Sequence, residues 1–94
     1  MKTVINGKVY DTDTMTTLVS NTTYDNGNCS GQTRICKNPG GSYCYVTGSN
    51  GQNLFRINCI EAIAKDQIAE IIDGWYLNDK EFKALLEEGI VEQA

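Results

Sequence analysis

Four cysteines, Cys29, Cys36, Cys44 and Cys59, are the residues best equipped for chemistry, and no histidine accompanies them. Four thiols suggest a Cys₄ zinc centre, but zinc knuckles place two ligands two to four residues apart so that one loop presents both. Here the closest pair, Cys29 and Cys36, is seven positions apart. A Cys36–Cys44 disulfide is sterically open, though a reducing cytosol opposes it. Free thiols acting as small, half-buried apolar groups are the default reading. The missing histidine removes the commonest general base and the commonest metal ligand together. Serines and threonines abound in turn-like stretches without a base to activate them. No Gly-Lys-Ser/Thr follows the glycine clusters, so they read as turns rather than a phosphate cradle. Asp11 and Asp13 could hold a divalent cation, but solvated caps at a helix start account for them more simply. The residues therefore point to no catalytic group, no metal and no cofactor.

The elements that would position these side chains begin with a hairpin. Asn6-Gly7 separates two β-rich runs, and both residues tolerate the positive φ of a two-residue type I′ turn. That turn pairs Val4 with Val9 and Ile5 with Lys8, and the hairpin attaches through the valines. Asp11 or Thr12 would then cap a short helix reaching Ser20, with Met15, Leu18 and Val19 at helical spacing. Asn21 to Gln32, rich in Gly, Asn, Ser and Thr, reads as a surface loop.

Asn38-Pro39-Gly40-Gly41 fits a type I turn followed by a left-handed glycine, and Gly48-Ser49-Asn50-Gly51 fits the same design. Together they predict a three-stranded meander in which Cys36 faces Cys44, Ile35 faces Tyr45, Tyr45 faces Phe55, Val46 faces Leu54 and Tyr43 faces Ile57. One face collects Ile35, Tyr43, Tyr45, Phe55 and Ile57, and this aromatic face should meet the helices. Arg34 and Arg56 share the other.

A helix follows, starting either at Cys59 behind an Asn58 cap or, as favoured here, near Lys65, and stopping at Gly74. Asn78 with Glu81 forms a capping box for a last helix whose Phe82, Leu85 and Leu86 face inward. The fold class is α+β within a single domain spanning 1–94: an N-terminal hairpin, a short helix, and a three-stranded antiparallel meander packed on two C-terminal helices.

Charge is divided unevenly. Residues 1–59 carry five basic and three acidic groups, and the rest nine acidic groups against Lys65, Lys80 and Lys83, so about +2 faces −6 within the net −4. An acidic chain of pI near 4.6 suits nucleic-acid binding poorly, because phosphates require clustered Lys and Arg. No membrane span is expected, and without an apolar run after Lys2 the expected compartment is the cytoplasm. A solvated helix face explains the acidic half; a surface docking on a basic partner is the functional alternative. That surface would comprise Glu70, Asp73, Glu81, Glu87 and Glu88, with Trp75 and Tyr76 at the helix junction as aromatic anchors.

The run Ile5-Asn6-Gly7-Lys8-Val9-Tyr10-Asp11-Thr12-Asp13-Thr14 resembles the opening of a group of small phage and mobile-element proteins, which begin Ile-Asn-Gly-Lys-x-Tyr-Asp-Thr-x-Thr. Their basic strand and aromatic strand are matched by Thr33-Arg34-Ile35-Cys36-Lys37 and Ser42-Tyr43-Cys44-Tyr45-Val46, and their Glu-rich tail by Glu81 to Ala94. The chain departs from the pattern at Met15, at its cysteines and at Ala64. Some proteins of this kind resemble anti-CRISPR inhibitors. The resemblance implies a non-enzymatic accessory protein that blocks a bacterial defence complex, such as a CRISPR effector, in the cytoplasm of an infected cell, with a homodimer left open. Two other readings stand beside it: a module binding a nucleotide signal through Arg34, Arg56 and Tyr24, and a structural or regulatory phage protein.

Overall fold

The computed structural model describes the backbone of residues 1–25, 28–51 and 54–94, and the side chains of 1–22, 31–49 and 57–94. Six strands precede two helices: β1 Lys2–Ile5, β2 Lys8–Asp11, β3 Thr16–Asp25, β4 Asn28–Lys37, β5 Tyr43–Gly51, β6 Leu54–Ile63, α1 Lys65–Ile71 and α2 Asp79–Glu87. The fold is a small α+β arrangement of a two-stranded sheet, a four-stranded antiparallel sheet ordered β3-β4-β5-β6, and two helices.

Two turns form as their residues dictate. Asn6 and Gly7 adopt φ of 52° and 76°, and the β1–β2 register pairs Val4 with Val9 and Ile5 with Lys8. Gly41 takes φ of 95° and donates to the Asn38 carbonyl at 2.9 Å, closing the β4–β5 hairpin with Cys36 opposite Cys44 and Ile35 opposite Tyr45. The hairpin β1–β2 docks, however, through Ile5 and Tyr10, leaving Val4 and Val9 exposed. Ile5 and Tyr10 together offer more apolar surface than Val4 and Val9 do.

The short helix expected through Ser20 does not form. A turn in which the Thr14 amide donates to the Asp11 carbonyl at 3.1 Å leads instead into β3. Threonine and valine lose little in an extended strand and more in a helix, and β4 supplies the ladder that an isolated segment lacks. The loop expected over Asn21 to Gln32 is likewise mostly strand, because β3 and β4 pair from Thr16–Lys37 to Asp25–Asn28. The meander is therefore four-stranded.

The second expected turn, at Gly48 to Gly51, does not form there. Gly48 to Gly51 continue β5, and the β5–β6 register sets Tyr43 opposite Ile63, Tyr45 opposite Glu61 and Val46 opposite Ile60. Thus Tyr45–Phe55, Val46–Leu54 and Tyr43–Ile57 are not pairs, and the register meant to bring Arg56 to the face of Arg34 is not the one adopted. The reason lies in a one-residue bulge. Thr47 pairs with Cys59 and Gly48 with Ile57, so Asn58 has no opposite residue in the ladder. A bulge resets the alternation of faces, which lets Ile57 and Ile60 pack on one side, against Tyr10, Cys36, Cys44 and Val46. A second bulge, at Leu18, lies between the Thr17–Cys36 and Val19–Ile35 pairs.

The sheet thus has two covered faces. Toward the helices it presents Val19, Ile35, Tyr43, Tyr45 and Ile63 to Ile68, Ile72 and Leu85. Toward the hairpin it presents Cys36, Cys44 and Val46 to Tyr10 and Ile5. The later helix start holds: β6 runs to Ile63, and the Gln67 carboxamide accepts from the Ala64 amide at 2.8 Å at the start of α1. Gly74, with φ of 83°, follows α1 and redirects the chain. Among the described residues no helix is long and apolar enough to cross a membrane.

Leu85 is fully buried where α2 meets the sheet. Leu85→Ala should cost about 2–5 kcal/mol through lost transfer energy and a residual cavity. Urea unfolding checks this as a lower midpoint with an unchanged slope.

Candidate partner-binding surface

The acidic residues of the C-terminal half fall into two groups once their partners are known. Asn78 and Glu81 form the expected capping box: the Asn78 side chain accepts from the Glu81 amide at 2.8 Å, and Glu81 Oε1 accepts from the Asn78 amide at 3.1 Å. Glu81 Oε2 reaches further, accepting from the backbone amide of Ser20 at 2.8 Å. β3 is an edge of the four-stranded sheet, so this bond satisfies an edge amide and pins the start of α2 to it.

Glu88 pins the other end. Its carboxylate accepts from the Tyr43 hydroxyl at 2.6 Å and lies 2.8 Å from Lys37 Nζ. The Lys37 ammonium, and after it the Tyr43 hydroxyl, hold the Glu88 carboxyl below the usual carboxylate range. Reciprocally, the Glu88 carboxylate raises both Lys37 and Tyr43 above their ordinary values.

Glu70, Asp73 and Glu87 stay at the surface, Glu87 in a loose 4.0 Å contact with Lys83 one turn earlier. Close to Asp73 the chain opens a groove of about 400 Å³ between α1, α2 and the C-terminal residues. Ile72 and Leu85 line its depth, Trp75, Leu77, Phe82 and Val91 its sides, and Asp73 and Glu92 its rim. Trp75 is half-buried, whereas the neighbouring Tyr76 is 97% exposed. Phe82, expected to face inward, is 47% exposed. The α2 stripe Phe82-Leu85-Leu86 is wider than the sheet can cover, so its first residue lies on the groove wall. Spacing alone marks such a stripe as apolar without saying how much of it a neighbour reaches. Leu77 and Glu92 carried no sequence signal, whereas Val91 with Ile90 is expected as a short packed tail; the packing of the chain after Gly89 against the helices brings Val91 and Glu92 to the groove.

Outside this surface, Arg34 is half-buried and its Nε donates to Gln32 Oε1 at 2.7 Å. The side chains of Tyr24 and Arg56, its companions in a nucleotide site, lie outside the described residues. Asp11 accepts from the Asp13 amide at 3.0 Å and sits 3.6 Å from Lys2. Cys36 and Cys44 are buried beneath the hairpin, while Cys59 pairs with Thr47 on the opposite face. Among the described residues no three His, Cys, Asp or Glu side chains converge. The side-chain interaction with Cys44 holds the Cys36 thiol down at about 7 against the opposing effect of burial, with help from the Thr17 hydroxyl and the Arg34 charge. The same interaction, with burial, pushes Cys44 up.

No family model, curated protein or solved structure matches the chain.

The Glu88 contact carries a definite pH dependence. Its folded pKa lies below the ordinary value of 4.5, so the contact stabilises above that value and is lost as pH falls through the lower, folded one. Thermal unfolding followed by circular dichroism should show the midpoint falling below about pH 4.5. Glu88→Gln should lower the midpoint at neutral pH and flatten that acid slope.

Proposed function

We propose that this chain is a non-enzymatic protein that binds a basic partner protein through the α1–α2 groove and its acidic rim. The observation that carries this reading is the juxtaposition of half-buried Trp75 and exposed Phe82 with Asp73 and Glu92 around an open groove, with fully exposed Tyr76 next to Trp75 in the chain. Aromatic side chains at the centre of a contact and charges at its edge are the usual anatomy of protein interfaces. Net negative charge from Ile60 onward fits a partner surface rich in Lys and Arg, and long-range attraction would speed the encounter.

The resemblance of the opening motif supports the partner class. On this reading the chain is a phage-type accessory protein that inhibits a bacterial defence complex, such as a CRISPR effector, in the infected cell. Its carboxylates occupy part of the basic surface that otherwise receives nucleic acid, and inhibition is steric. Glu81 and Glu88 contribute indirectly, by holding α2 on the sheet, and the direct contacts come from Asp73, Trp75, Tyr76, Phe82 and Glu92, with Glu70 and Glu87 adding field.

Surface plasmon resonance against purified effector complexes of the host range tests this. Tyr76→Ala should weaken binding by about 2 kcal/mol, roughly 30-fold in Kd. Asp73→Asn combined with Glu92→Gln should slow association and flatten its dependence on salt. Full-strength binding by both variants, or no binding to any effector, sinks the proposal.

A further inference from the structure

Beneath the N-terminal hairpin, on the sheet face turned away from the helices, three sulfur atoms gather. Cys36 and Cys44 are direct partners across β4 and β5, 3% and 0% exposed. The Cys44 thiol donates to the Met15 thioether, with the sulfurs 3.5 Å apart. Met15 lies at the entry to β3, just after the turn that the Asp11 carbonyl closes with the Thr14 amide. Three separate parts of the chain therefore deliver one soft donor each. Tyr10, Val46, Ile5, Ile57 and Ile60 wall the cluster with apolar groups.

The donor set selects its ligand. Thiolates and thioethers favour soft, thiophilic ions, Cu(I) foremost among physiological metals. Zinc in a closed structural site takes four nitrogen or sulfur ligands, and no fourth such ligand joins these three among the described residues. Calcium and magnesium require several oxygen ligands, carboxylates foremost, and among the described residues no Asp or Glu converges with Cys36 and Cys44. Copper in its monovalent state accepts low coordination numbers, and two thiolates with one thioether meet that demand. The Thr17 hydroxyl stands 3.7 Å from Cys36 Sγ and can hydrogen-bond its thiolate form, an outer contact of the kind that orients metal ligands. Arg34, on the same sheet face, offsets the net negative charge that two thiolates around one monovalent ion leave. Half-buried Met15 is the most accessible of the three and marks the entry path.

We propose that Met15, Cys36 and Cys44 form a three-coordinate Cu(I) site. Binding involves no change of oxidation state: the two thiols each release a proton, both sulfurs bond to copper as thiolates, and the thioether adds its lone pair. The competing reading is that the sulfurs merely fill space as soft core groups.

The test uses the reduced full chain under anaerobic conditions, titrated with Cu(I) as its acetonitrile complex against the chromophoric chelator bicinchoninate. One equivalent should be withheld from the chelator, with protons released on binding and an X-ray absorption spectrum showing sulfur-only coordination. A Cys29→Ser/Cys59→Ser variant should retain this uptake, and Cys36→Ser or Cys44→Ser should lose it. Met15→Leu, which preserves apolar volume and so the fold, should weaken affinity roughly tenfold or more. No uptake, uptake surviving Cys36→Ser/Cys44→Ser, or full affinity in Met15→Leu would each overturn the proposal. Air exposure yielding a Cys36–Cys44 disulfide in a chain that retains no copper when reduced would also overturn it, assigning the pair to redox chemistry. Should the cysteine variants fail to fold, the wild-type spectrum and Met15→Leu still decide.

Discussion

A β-strand sends alternate side chains to opposite faces, so Ile57 and Ile60 would ordinarily lie on different sides of the sheet. Asn58, with no opposite residue in the ladder, puts them on the same side, and the layering of the molecule depends on that shift. Below the bulge, Tyr43 and Ile63 still face the helices; above it, Ile57 joins the layer under the hairpin. Leu18 does the corresponding work in β3, bringing Thr17 to Cys36 on one face and Val19 to Ile35 on the other. A sheet with both faces covered needs apolar side chains on both, and in a short chain the bulges at Leu18 and Asn58 help to distribute them.

The helices are then attached by different physics on their two sides. Apolar contact of Ile68, Ile72 and Leu85 with the sheet supplies non-directional burial. Direction comes from two carboxylates: Glu81 bound to an edge amide of β3, and Glu88 bound to Tyr43 and Lys37. These charge-assisted bonds fix how far α2 sits along the sheet, and with it the width of the groove between the helices. The acidic character of this half therefore has two sources. Part of it is internal wiring, and the remaining acidic residues, Glu70, Asp73, Glu87 and Glu92 among them, face solvent.

Legibility followed the range of the determining interactions. The Asn6-Gly7 turn, the Asn38–Gly41 turn and the Asn78–Glu81 box are set by residues within four positions of one another, and all three form as their side chains require. Between Thr12 and Gln32, local propensities were weak and contradictory, so pairing of β3 with β4 decided the outcome. Gly48 to Gly51 offered good turn chemistry, but they extend β5 instead, in a register that sets Val46 against Ile60 and Tyr43 against Ile63. A ladder that continues in backbone pairing up to Gly51–Leu54, rather than stopping before Gly48, outweighed the better turn.

For the candidate surface, the residue types were readable and their roles were not. Asp73, Trp75 and Tyr76 stood out because acidic and aromatic residues sit beside a helix-ending glycine. Glu81 and Glu88 belong to the same acidic run, yet their oxygens serve Ser20 and Tyr43, some 61 and 45 positions away in the chain. Phe82 and Val91 become groove walls only when the helices and the residues after Gly89 are packed. Composition and short-range spacing determined the α+β class, the turns, the caps and the uneven charge, because those depend on backbone preferences and on counting. Which carboxylates remain at the surface, which thiols meet Met15 and which apolar face stays uncovered were decided by the tertiary structure alone, since each depends on contacts between residues distant in the chain.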